Sequence, residues 1–363
     1  MTISAMPPLR PLRVGEILDR ALRIYRRHFL QFVGIIALVQ VPLVGVQLLA
    51  SLLAFGNTFT RLEEMFANPA TAPSNPFAAF GPEYFAGASL NSLVAILSFI
   101  LVQGLATAAL TKAVADSYLG EQPAHSIVEA YRRVKESWLS VVGALLLAVV
   151  LGIGLLIWWI VPCFGWLTGG GMLLYLWRVV IPLLAPIIIL EKQPAASAWR
   201  RAWDLARRRF WWVLGFALLL YLFNLLVVAG PAALVGALSQ FLVGNPLRPD
   251  AGTFRVQAVA QSLTTLVTSL LYLPIQAASM TLLYVDLRVR TEGLDLALLA
   301  QQEEEKIDVV SGSALPAGRG DLVTGSELAN FLLITVGIIV AIIALYALLL
   351  GIVFVLFSLF GGV

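Results

Sequence analysis

The chain has one cysteine in 363 residues, two histidines, and charged side chains at only 12% of its positions. The single thiol, Cys163, excludes an internal disulfide and argues against a thiolate-built metal site. His28 and His125 each lie in or beside an amphipathic segment and do not pair with a second metal-ligating motif. There is no Walker loop, no HExxH and no Gly-x-Ser-x-Gly, so neither phosphate-cradling nor triad nor zinc-protease chemistry has its usual carrier. No catalytic residue, metal site or cofactor is expected. The scarcity of charge also sets the class. Soluble domains carry about 25% charged residues, whereas this chain is 60% hydrophobic. It reads as a polytopic membrane protein. The first apolar run follows an amphipathic segment and is too long for the core of a signal peptide.

What charge there is falls into a pattern. In Val14–Gly34, Ile17, Leu18, Ala21, Leu22, Tyr25 and Phe29 share one face at a 3.6-residue period. Glu16, Asp19, Arg20, Arg23, Arg26 and Arg27 take the other. Glu16 precedes Arg20 by four residues and Asp19 precedes Arg23 by four, the favoured order for helical ion pairs. A helix of this kind lies in the headgroup plane, apolar side down. The same design returns at Ile127–Gly143 and Ala198–Gly215. Ala21, Ala130 and Ala202 align without gaps, as do Phe29, Trp138 and Phe210, and Gly34, Gly143 and Gly215. A hydrophobic hairpin follows each copy, which is how an internal repeat looks.

The expected fold is all-α. It is a polytopic membrane helix bundle of three repeats, each an inner amphipathic helix plus a two-span hairpin, with an appended C-terminal seventh span. Residues 1–300 form the six-span domain, with repeats at about 14–120, 121–192 and 193–300. Residues 301–328 form a cytoplasmic linker that opens on a short helix, and 329–363 the last transmembrane helix. Spans are placed at Leu30–Ala54, Leu90–Ala115, Leu139–Val161, Met172–Leu190, from Trp212 to a break at Gly230–Pro231, and Val256–Val285. Gly56–Ala88 reads as a loop, Cys163–Gly171 as a tight turn, and Ala232–Leu242 as a short separate helix. The apolar run Phe331–Phe360 would be about 45 Å long as a helix, more than the ~30 Å hydrocarbon core, so it is taken as one tilted span. It reads as an anchor or partner helix.

Orientation follows from the distribution of cations. If the three amphipathic helices, their flanks and Arg288–Arg319 share one side, that side holds 20 of the 24 Lys and Arg residues. The positive-inside rule then puts the N-terminus in the cytoplasm and, after seven spans, the C-terminus outside a cell membrane. The tryptophans cluster near the span boundaries, as in the aromatic belts of a bilayer.

Two sets of residues stand out. Arg178 lies about seven residues into the fourth span, roughly 10 Å from its end. An unpaired charge there must snorkel or find a polar partner. Gln103 and Asn224 are the partners carried forward, with Gln40, Gln47 and carbonyls freed by Pro182 or Pro186 as alternatives. The second set is a ring of cations on the amphipathic helices: Arg20, Arg23, Arg26, Arg27, Arg132, Arg133, Lys135, Arg200, Arg201, Arg207, Arg208 and Arg209. Near an anionic leaflet each contributes about 1 kcal/mol of attraction, so anionic lipid is the expected contact and nucleic acid is not.

The segments RPLRVGEILDRALRIYRRHF at Arg10–Phe29 and LLYVDLRVRTEGLDLALL at Leu282–Leu299 resemble the opening and closing signatures of the glycerophosphoryl diester phosphodiesterase membrane domain family and its stand-alone relatives. The resemblance spans about residues 8 to 300. Members that carry a catalytic barrel place it after the membrane domain. Here that position holds a linker and a span, so the resemblance implies the membrane part without the activity. The expected function is a non-enzymatic scaffold or accessory subunit that engages membrane lipids, with another membrane protein held through the C-terminal span. The alternative is a transporter or lipid-handling protein with a polar site near Arg178, using spans broken at proline as transporters do. Intramembrane carboxylates to couple protons or cations are lacking, since Asp116 and Asp286 lie near inner ends.

Overall fold

A computed structural model describes residues 10–67, 81–119, 126–230, 233–234, 236, 251–294 and 323–360. Every described element is helical: α1 Val14–Arg27, α2 Phe29–Ala67, α3 Pro82–Ser98, α4 Thr107–Leu119, α5 Ile127–Arg133, α6 Trp138–Ile160, α7 Phe164–Tyr175, α8 Ile181–Glu191, α9 Ala195–Arg208, α10 Phe210–Asn224, α11 Ala251–Glu292 and α12 Gly325–Phe360. Three π-helical segments continue these helices: Phe99–Ala106 between α3 and α4, Leu176–Val180 between α7 and α8, and Leu225–Ala229 after α10. Six helices among the described residues are long and apolar enough to cross a membrane, and Phe210–Asn224 is a shorter apolar helix. The expected short helix at Ala232–Leu242 falls largely outside the described residues, as does the linker with its short helix.

The amphipathic period of α1 buries Ile17, Ala21 and Tyr25. Glu16 starts the helix by accepting the Arg13 backbone N–H at 2.9 Å. That hydrogen bond, reinforced by Arg10, holds the Glu16 carboxyl below its ordinary range. Arg26 and Arg27 close the last turn, each charge set against the pole of the helix dipole it complements. The helix does not run straight on into a span. It stops at His28, whose φ of −118° and ψ of 30° are not helical, and α2 begins at the next residue. Arg209 makes the same one-residue break between α9 and α10, and a 3₁₀ turn at Lys135–Ser137 separates α5 from α6. Each break frees the amphipathic helix from its span's direction. Burial, with Arg27 beside it, lowers the His28 pKa, and its Nε2 lies 3.4 Å from the Ser117 hydroxyl.

The packing has a recurring order. α4, α8 and α11 pack against one another. α2, α6 and α10 pack outside them: α2 on α11, α6 on Phe99–Ala106, α10 on Leu176–Val180. The amphipathic helices follow suit, with α1 on α11, α5 on α4 and α9 on α8. Ala21, Ala130 and Ala202 are 0%, 2% and 0% exposed, so all three face the core. A side chain at Gly34 would meet Ile127 of α5 at 2.6 Å, and one at Gly143 would meet Ala195 of α9 at 3.4 Å, while Gly215 opens onto nothing. Aromatic donors seal the same two joints. Tyr131 donates to the Ile35 carbonyl at 2.6 Å and Trp199 to the Ala144 carbonyl at 2.9 Å. Trp199 is therefore a buried packing residue, not an interface anchor.

Two expectations about loops need correction. The Gly56–Ala88 loop is shorter than read, because α2 continues to Ala67 and α3 begins at Pro82. The turn expected over Cys163–Gly171 is confined to its start. Cys163 takes a left-handed φ of 64°, and α7 begins at Phe164. Gly169–Gly171 is helical, and its lack of side chains serves a helix crossing. A Cβ on Gly171 would lie 2.2 Å from the Phe331 carbonyl of α12, and the Gly171 N–H donates to the Thr335 hydroxyl at 2.8 Å. Phe331 then packs among Tyr175, Trp203 and Phe210. The C-terminal helix is thus docked on α7 through its first turns, and the described side chains of its later turns are exposed.

Candidate functional site

Where α1, α5 and α9 pack on α11, α4 and α8, each of those three helices carries a buried carboxylate near its end. Asp116 ends α4 and pairs with Lys112 at 2.7 Å and Arg133 at 2.8 Å. Asp286, near the end of α11, accepts the Leu12 backbone N–H at 2.6 Å and pairs with Arg290 at 2.7 Å. Arg290 also donates to the Leu12 carbonyl and lies over the Trp212 ring. The two signatures from opposite ends of the sequence are therefore one clasp.

The third carboxylate, Glu191, anchors the most buried polar cluster of the described residues. Its carboxylate accepts from Arg201 at 3.2 Å and from the Tyr284 hydroxyl at 2.6 Å. Arg201 reaches on to Glu292 at 2.6 Å, and Arg288 pairs with Glu292 at 3.1 Å and contacts Tyr284 at 3.3 Å. Arg288 is the largest fully buried side chain, and Arg201 is 3% exposed. Two cations and two carboxylates leave the cluster neutral, which is how buried charge is tolerated. Burial opposes the charge on Arg201, but Glu191 and then Glu292 outweigh it and hold its pKa above the ordinary arginine value. The cluster fixes α8, α9 and α11 to one another.

These contacts divide the cations expected to meet lipid. Arg201 is a correction: it is buried and committed to Glu191 and Glu292. Its place on a basic-looking helix hid a core position, since α9 also buries Ala198, Ala202 and Leu205. Arg133 pairs with Asp116 and Glu129, Arg207 with Asp204, and Arg20 donates to the Tyr118 hydroxyl. Arg23 pairs with Asp19 at the surface. Arg26, Arg27, Arg132, Lys135, Arg200, Arg208 and Arg209 are exposed on the same helices.

Arg178 sits in the π-helical segment Leu176–Val180 and is half-buried. Its guanidinium lies 4.0 Å from the centroid of the Tyr221 ring, a cation–π contact that desolvation strengthens. Tyr272 faces both Arg178 and Asn224. No carboxylate pairs with Arg178 among the described residues. Of its two expected partners, Asn224 shares this site. Gln103 is elsewhere, lining a small cavity between α4, α8 and α11 with Thr107, Thr111, Pro182 and Gln276. That cavity, about 20 Å³, holds roughly one water molecule.

Glu191, Tyr284, Arg288 and Glu292 were not singled out from the sequence. Their signal is the spacing in VDLRVRTE: Asp286 with Arg290 and Arg288 with Glu292 are both four apart, two ion pairs on neighbouring faces of one helix. Among the described residues no three His, Cys, Asp or Glu side chains gather as a metal site would require. Comparison with protein-family models, with characterised proteins and with solved structures returned no match.

Proposed function

We propose that this chain is a non-enzymatic membrane scaffold or accessory subunit, built as three repeats around the α4–α8–α11 centre, that engages anionic lipid through its amphipathic helices. The observation that carries this is the sorting of charge at one end of the bundle. The inward cations are neutralised by carboxylates, while Arg26, Arg27, Arg132, Lys135, Arg200, Arg208 and Arg209 stay exposed. The small central cavity favours a packed support over a central conduit. The resemblance of the two clasped end motifs to the glycerophosphoryl diester phosphodiesterase membrane domain agrees with this reading and is part of the proposal. The experiment is lipid retention. Protein extracted from mixed phosphatidylglycerol–phosphatidylcholine membranes should keep phosphatidylglycerol several-fold over its bulk fraction. Arg26→Gln/Arg27→Gln/Arg208→Gln/Arg209→Gln should bring the ratio down toward bulk. Equal retention in the variant would sink the lipid contact.

The same reading places the amphipathic end in the cytoplasm, on the positive-inside rule. Cys163 is exposed at the opposite end of α6, so a membrane-impermeant maleimide should label it in intact cells. Labelling only after permeabilisation would invert the orientation.

A second reading, lipid handling, is favoured by Arg178, a half-buried guanidinium over the Tyr221 ring with no carboxylate partner among the described residues. If an anionic headgroup is its counter-ion, Arg178→Leu should abolish stabilisation by added phosphatidylglycerol while leaving the basal melting temperature within a few degrees. An unchanged lipid response removes this site from the account.

A further inference from the structure

A second polar place lies away from every charge discussed above. Between α2 and α11 is an open groove of about 440 Å³, within the usual ligand-pocket range of roughly 300–1,000 Å³. Gln47 and Ser51 line it from α2, and Gln257, Gln261, Ser262 and Thr265 from α11. Asn91 backs the α2 wall by accepting from Ser51 at 3.2 Å. Among the described residues no charged side chain lines the groove.

Its depth follows from helix rise. Asp286 marks the ion-paired end of α11, and Thr265 is 21 residues before it, about 31 Å along the helix. Ser51 is 22 residues beyond Phe29 at the start of α2, about 33 Å. Both meet the far boundary of a ~30 Å hydrocarbon core. The groove thus sits at headgroup level in the leaflet opposite the amphipathic helices. Its flanks are apolar and exposed: Leu49 and Leu53 on α2, and Val256, Val259 and Leu263 on α11.

We propose that this groove binds an uncharged, hydroxyl-bearing headgroup, that of a glycosyl- or glycerol-headed lipid whose chains lie along the apolar flanks. Primary amides and hydroxyls both donate and accept, which suits hydroxyls. A phosphate would meet no cation here, and an amine no carboxylate. The inference is independent of the scaffold reading, which concerns the other end of the bundle.

The test uses the full chain in an amine-oxide detergent, whose headgroup is not a sugar. Monoglucosyl-diacylglycerol should raise the melting temperature by several degrees more than phosphatidylglycerol or phosphatidylcholine. Gln257→Leu/Gln261→Leu should lose that preference. Both positions are exposed, so the variant's basal melting temperature should stay near that of the parent. Methyl glucoside is the arm that separates sources. A response to it that the double variant loses keeps the polyol site and makes its ligand water-soluble; no response with a retained glycolipid response assigns the site to lipid. Equal shifts with all three lipids, or a glycolipid preference that survives the double substitution, overturn the proposal.

Discussion

Glu191→Leu is expected to destabilise the protein by about 3–5 kcal/mol, the cost of removing one partner from a buried ion pair. At roughly 2–4 °C per kcal/mol for chains of 150–250 residues, that is a fall in melting temperature on the order of 10 °C. The reason is charge balance. With Glu191 gone, Arg201 and Arg288 both rely on Glu292, and Tyr284 loses its acceptor. Arg201→Leu should cost a similar amount because it strands Glu191. The double variant Glu191→Leu/Arg201→Leu should lose less than the sum of the two, since it removes one charge of each sign and leaves the Arg288–Glu292 pair intact. Arg200→Leu, one residue away but exposed, should change stability by less than about 0.5 kcal/mol. Thermal unfolding followed by the fluorescence of Trp199 and Trp203 measures all four. Strictly additive losses, or a large loss at Arg200, would show that the cluster does not act as a unit.

That cluster also shows where sequence reasoning ends. Periodicity marks which face of an amphipathic helix is apolar, and it groups Ile17, Ala21 and Tyr25 on one face; it assigns that face to lipid, whereas these side chains are buried against the other helices. It treats every arginine as belonging to the solvent or lipid face. On α9 this fails for Arg201, because its neutralising partners come from α8 and α11, 10 and 91 residues away. Nothing local distinguishes Arg201 from Arg200. The helical class and the apolar runs were legible because bilayer thickness and hydrophobicity act locally. Glycine is the opposite case. A Gly-Gly-Gly run signals a turn when judged alone, yet Gly169–Gly171 is helical, and Gly170 and Gly171 face a helix more than 150 residues later in the chain. Arg178 falls between these. Its need for a partner was readable from its place in a span. That Tyr221 would be that partner was not, because cation–π contacts leave no spacing in the sequence.

Gly171→Val is expected to release α12 from the bundle. A β-carbon on Gly171 would stand 2.2 Å from the Phe331 carbonyl and 2.9 Å from its carbon, and both are backbone atoms that no rotamer change moves. The helices must separate, and the hydrogen bond from the Gly171 N–H to Thr335 is lost with the crossing. The Phe331 ring then leaves the stack formed with Tyr175, Trp203 and Phe210. Among the described side chains of the later turns of α12, Ile339, Val340, Ile342 and Ile343 are all exposed. Helix release is read directly by crosslinking. In a Cys163→Ser background, Gly170→Cys and Thr335→Cys should form a disulfide on mild oxidation, since a Cβ at Gly170 lies 3.4 Å from the Thr335 methyl. Adding Gly171→Val should abolish that crosslink, while Gly154→Val, where a Cβ meets nothing within 4 Å, should leave it intact. Efficient crosslinking in the Gly171→Val protein would mean that α12 is held by something other than this crossing.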